Sequence, residues 1–82
     1  MNPESSPAED LPALYRLILD GVALLERRGA RTEADRIRRA AITAYSTAWD
    51  ETQRRALEQL ATRCRLALEA LDREAGEAVR PG

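Results

Sequence analysis

Residue order points to an all-α protein: a small three-helix bundle or helical hairpin with a long C-terminal helix, assembled as a homodimer. Three features carry that expectation. From Ala30 to Ala75 there is neither glycine nor proline, in a run dense in Ala, Leu, Arg and Glu, and such composition favours helix over any other backbone. Within that run and before it, apolar residues recur at three- and four-residue spacing, the signature of a helix with one buried face. At 82 residues, finally, a single core stabilises a fold only marginally. Cys64 is the one cysteine and there is no histidine, so neither an intrachain disulfide nor an imidazole- or thiolate-rich metal site is available. A second subunit is the remaining supplement.

Residues 1–9 hold two prolines, two serines and two glutamates and read as a flexible tail, followed by one helical domain over 10–76. The first helix is expected over about 11–28. Asp10 would cap its free amides, and Pro12 would occupy the first turn, where a missing N–H costs nothing. A start at Ser6-Pro7 would instead put Pro12 in the helix interior. Gly29 supplies the left-handed stop, and Arg27 and Arg28 face the negative end of the helix dipole.

The second helix is expected over about 33–46. Thr32-Glu33-Ala34-Asp35 resembles a capping box, with Asp where Glu is usual. Ser46-Thr47-Ala48-Trp49-Asp50 follows, and its Ser, Thr and Asp favour caps over helix interiors. It reads as a corner capped by Asp50 with Gln53, the alternative being one long, bent helix. A third helix then runs over about 51–75 to Gly76, and residues 77–82 form a second tail.

Stepping about 100° per residue around each helix shows what each can bury. In the third, Leu57, Leu60, Cys64, Ala67, Leu68 and Leu71 make one seam, with Glu51–Arg55 and Glu69–Arg73 as i,i+4 pairs on the far side. In the second, Ala34, Ile37, Ala41, Ile42, Tyr45, Ala48 and Trp49 spread over a wide arc interrupted by Arg38. The first is apolar over most of its circumference. Leu11, Leu14, Tyr15, Ile18, Val22 and Leu25 form one face, flanked by Leu17 and Leu24 on one side and by Leu19 and Ala23 on the other, and little but Arg16, Asp20 and Arg27 is clearly polar. Two other helices of one small chain, one of them rich in alanine, are a poor cover for so much apolar surface. Leu14, Leu17 and Leu24 are therefore candidate self-association residues. Leu66 joins them because it projects from the charged side of the third helix, although single exposed leucines are common.

The net charge is −1, which argues against a dedicated binder of nucleic acid or anionic membrane. Its distribution is uneven, with ten arginines against five acids over residues 27–65 and acidic segments on either side. All thirteen basic residues are arginine, and many have an acid one helical turn away. Arg36, Arg38 and Arg39 are the candidate anion or nucleic-acid residues within the Arg-rich segment 27–39. No Asn or Gln stands among them to read bases, so nucleic acid is a disfavoured partner. Tyr45 and Trp49, one turn apart, are a candidate partner surface, since Trp and Tyr are enriched at binding hot spots. The competing reading is a plug for the corner.

Cys64 lies in a core seam and lacks the histidine base a catalytic thiol ordinarily uses. Glu69 and Asp72 sit one turn apart without a second carboxylate pair and read as a solvated face. No catalytic, cofactor or metal residue is assigned, and no cofactor is expected. Residues 1–6 are acidic and polar rather than basic then apolar, and the longest apolar runs are too short to span a bilayer. The expectation is a cytoplasmic, non-enzymatic helical interaction or regulatory protein whose partners are itself and another protein. The alternative is a nucleic-acid-associated regulator using residues 27–39.

Overall fold

Gly29 sets the first turn of the chain. Its φ of 89° is a conformation that side chains bearing a Cβ rarely adopt. It lets the amides of Gly29 and Ala30 reach back to the carbonyls of Glu26 and Leu25, at 3.1 and 2.9 Å. This pair of bonds is the Schellman closure of a helix end, and Ala30 packs onto the core beneath it. In the computed structural model, which describes residues 7–79 and the side chains of 10–76, three helices follow. They are α1 (Pro7–Arg27), α2 (Arg31–Thr47) and α3 (Glu51–Val79). No strand occurs among the described residues.

The first helix begins earlier than the sequence suggests. Pro7 takes the first helical position and Pro12 lies inside the helix. Pro12 has no N–H to donate to the carbonyl of Ala8, so one backbone bond is forfeited. Within the added turn the Asp10 carboxylate meets Arg54 of α3, a contact that offsets part of that loss, and Leu11 follows fully buried. Asp10 consequently does not cap α1; its carboxylate lies 3.2 Å from Arg54 of α3. The tail expected over 1–9 is thus helical from Pro7, and its first six residues lie outside the described ones.

The Thr32 capping box does not form. Helix α2 starts at Arg31 behind Ala30, which makes no side-chain cap, and Ala34 N–H donates to the Ala30 carbonyl at 3.0 Å. The tight Schellman turn leaves too short a link for Thr32 to stay outside the helix. Glu33 is drawn into a two-point contact with Arg63 instead. The corner after α2 does form. Ala48 is extended, and the Asp50 carboxylate accepts the Gln53 N–H at 3.0 Å, the N-cap bond expected for α3. Gly76 is no stop, since α3 runs through it to Val79; among the described glycines only Gly29 has positive φ. The tail expected over 77–82 is therefore helical at its start, and residues 80–82 lie outside the described ones.

Short links make α2 antiparallel to both its neighbours, so α1 and α3 run parallel. Three contacts fix their stagger. Asp10 meets Arg54, a Cβ added at Gly21 would strike the Sγ of Cys64, and Arg28 meets Asp72 at 2.9 Å. The core comprises Leu11, Ile18, Val22 and Leu25 from α1, Ala34, Ile37, Ala41 and Ala44 from α2, and Leu57 and Cys64 from α3. The small residues of α2 in that set, with Gly21 of α1, let the backbones approach closely where bulkier side chains would hold them apart. Leu60, Ala67, Leu68 and Leu71 of the predicted α3 seam are only partly buried against this core. Among the described residues no helix is long and apolar enough to cross a membrane.

Candidate interaction surface

Large apolar side chains that the core leaves out gather in two places. The first is a groove of about 420 Å³ between α1 and α3. Leu17 and Leu24 of α1 and Ala61 and Leu68 of α3 form its apolar lining, with Gly21 and Cys64 on its floor. Leu17 is 59 % exposed and Leu24 44 %, which is high for leucines two turns apart on one face. The groove continues toward the start of both helices past Leu14, Asp10, Arg54 and Glu58. Three of the four candidate self-association residues, Leu14, Leu17 and Leu24, thus share one surface. Leu14 is the least available of them, because it is partly buried against the core. Leu66 is 52 % exposed but does not line the groove.

The second place lies where α1 and α2 meet. Tyr15 and Tyr45 stack with centroids 4.3 Å apart and planes 6° from parallel, and Trp49 leans on Tyr45 at 5.1 Å. The Trp49 indole N–H donates to the Tyr45 carbonyl at 2.8 Å, satisfying a carbonyl in the last turn of α2 that has no helical partner. Tyr45 therefore plugs the space between two helices. Trp49, at 48 % exposed, covers the corner from outside and keeps a face to solvent.

The arginines are mostly committed within the chain. Arg38, the charge inside the apolar arc of α2, pairs with Glu26 of α1. Arg39 pairs with Asp35 at 3.0 Å, and Arg54 is surrounded by Asp10, Glu51 and Glu58. Of the two predicted α3 pairs, Glu51–Arg55 forms at 3.5 Å, while Glu69 turns to Arg65 rather than to Arg73. Arg36 is exposed and makes no ion pair within 4 Å among the described residues; its charge acts on Glu33 from a distance. The structure brings no two of Arg36, Arg38 and Arg39 onto one anion-binding point, because one turns to α1, one to its own helix and one to solvent.

Two titrating groups bear on what the groove and its surroundings can do. The hydrogen bond from Arg63 holds the Glu33 carboxyl low, against some desolvation, with the charges of Arg63 and Arg36 assisting. Burial pushes the Cys64 thiol up, and the nearby Glu33 charge adds to it. A thiol held protonated is a poor nucleophile, so Cys64 acts as a packing atom against Gly21. Among the described residues no three His, Cys, Asp or Glu side chains are grouped to hold a metal.

The apolar arcs do not single out Gly21, although it carries a signal. A lone glycine within an apolar helix weakens that helix and ordinarily marks a close approach. Ala44, buried in α2, is masked in the sequence by the arc drawn through the larger Ile42 and Trp49. Compared with known protein families, curated proteins and solved structures, the chain matches none.

Proposed function

We propose that this chain is a small non-enzymatic helical interaction protein, an adaptor or regulator in the cytoplasm, which self-associates through the groove between α1 and α3. The observation that carries this reading is the exposure of Leu17 and Leu24 beside Leu68 on one continuous surface. Apolar side chains gathered this way, rimmed by charges, characterise protein-binding sites. Burying each leucine against a partner gains about 1.5–3 kcal/mol when complete, and less here, since both are already half covered.

Sedimentation equilibrium at micromolar concentration tests it, with a dimer or higher oligomer expected. Both leucines are exposed in the single chain, so Leu17→Glu and Leu24→Glu should leave the helical fold intact and abolish the assembly, by placing an unpaired carboxylate in an apolar contact. A monomer near 9.1 kDa across that range would refute self-association.

A further inference from the structure

The charges flanking the groove favour a specific geometry for this assembly. On α1, Arg16, Asp20 and Arg27 form the exposed polar stripe next to Leu17 and Leu24. None of the three makes an ion pair within 4 Å among the described residues. On the α3 rim of the groove, Glu58, Arg65 and Glu69 are likewise exposed. Their only pairs among the described residues are 3.5 Å contacts within α3, Glu58 with Arg54 and Arg65 with Glu69. From N to C, one stripe is positive, negative, positive, and the other is negative, positive, negative.

The stagger of α1 against α3 decides how the stripes can meet. Asp10 lies level with Arg54, Gly21 with Cys64 and Arg28 with Asp72. Let a two-fold axis cross α1 between Asp20 and Gly21. The α1 helix of a second copy then runs antiparallel through the groove. In that one register Arg16 falls level with the partner's Glu69, Asp20 with the partner's Arg65, and Arg27 with the partner's Glu58. All three pairs are opposite in sign, and symmetry repeats each. The same register sets Leu17 against the partner's Leu24 and the partner's Leu68, and Leu24 against the partner's Leu17 and the partner's Ala61. A parallel arrangement matches leucine to leucine as well, but it leaves each opposite charge about one and a half residues, or about 2 Å, off level, where the antiparallel register brings each to within about half a residue. The antiparallel course also opposes the dipole of the incoming helix to those of α1 and α3, which lie parallel to each other.

We therefore infer that the partner in the groove is a second copy of this chain, docked as an isologous dimer with its α1 antiparallel between α1 and α3. Asp20 of each subunit pairs with Arg65 of the other. This inference rests on the self-association proposed above and adds its register.

Disulfide trapping reads the register directly. In a Cys64→Ala background, chains carrying Leu17→Cys are mixed with chains carrying Leu24→Cys, allowed to exchange, and oxidised. The expected product is the mixed 17–24 disulfide. Residue 17 of one copy lies about 10 Å along the helix axis from residue 17 of the other, beyond the reach of a disulfide, so links between identical positions should be minor. Predominant 17–17 and 24–24 links from a protein that still sediments as a dimer would overturn the register and leave self-association standing. A monomer throughout would overturn both, and would leave the groove to a helix of a different protein.

A second, purely surface test does not depend on cysteine chemistry. Asp20→Arg and Arg65→Asp should each weaken dimerisation by roughly tenfold or more, since symmetry converts two attractive contacts to repulsive ones. Together they should recover most of that loss, with the helical circular dichroism unchanged throughout. Strictly additive losses would refute the Asp20–Arg65 contact.

Discussion

Gly21→Ala on its own, and combined with Cys64→Ala, tests how closely α1 and α3 approach. On an exposed helix surface, replacing glycine with alanine gains about 1 kcal/mol, because alanine restricts the unfolded chain and favours helix. At Gly21 the new Cβ would stand 2.4 Å from the Sγ of Cys64 and 3.5 Å from its Cβ. Ordinary contact between such atoms is about 3.5–4.0 Å, so more than about 1 Å of overlap must be relieved at the sulfur. Cys64 is 3 % exposed and has a single torsion with which to turn aside, one of whose wells is closed to a helical residue. Overpacking of this kind costs about 1–3 kcal/mol, which outweighs the propensity gain. The net expectation is a loss of about 1 kcal/mol, within a span of about 0–2 kcal/mol, or roughly 4–8 °C in Tm for a chain of this size at its centre. Cys64→Ala alone should cost about 1 kcal/mol for the small void it leaves. In the double variant the methyl added at position 21 occupies that void. It should therefore be more stable than Gly21→Ala and show a coupling of about 0.5–3 kcal/mol. Urea unfolding followed by far-UV circular dichroism measures all four proteins. Protein concentration must be held fixed, because assembly contributes to apparent stability. If Gly21→Ala raised stability by about 1 kcal/mol and added to Cys64→Ala without coupling, α1 and α3 would not touch at this level. The stagger from which the dimer register follows would then fail with it.

Asp50→Ala removes the carboxylate that accepts the Gln53 N–H, and should cost about 1 kcal/mol in urea unfolding; no loss would mean that water caps α3 equally well. Glu33 is held below its ordinary value of 4.5, chiefly by the hydrogen bond from Arg63. The stability it contributes is therefore present above that value and is lost as the pH falls through the lowered folded value. Glu33→Gln should be less stable than the parent protein at pH 7 and approach it at acid pH, and a difference independent of pH would show that the carboxylate charge is not what Arg63 engages.

The fold class, the number of helices and the two places where the chain turns are legible in residue order alone, because each is a local matter. Gly29 is the residue that closes a helix in the left-handed conformation, Asp50 is a capping residue three positions before an available amide, and the run between them contains no residue that breaks a helix. The excess of Leu17 and Leu24 over what one core can cover is equally legible, since a circumference apolar on three sides follows from spacing. Helix starts are less so. Thr32 is a good cap by type, yet the length of the link after Gly29 draws it into the helix. Pro12 is a poor interior residue, yet the helix runs through it, with Asp10 of the added turn held against Arg54 of α3. Which arginine meets which acid depends on the packed chain: Arg38 with Glu26 and Arg63 with Glu33 join different helices, and Arg28, in the turn after α1, meets Asp72 of α3. The same holds for Gly21 on Cys64, since a glycine states that something comes close but not what. The stagger of α1 against α3, on which the charge stripes of the proposed dimer match, is set by side chains distant in sequence, and no periodicity within either helix contains it.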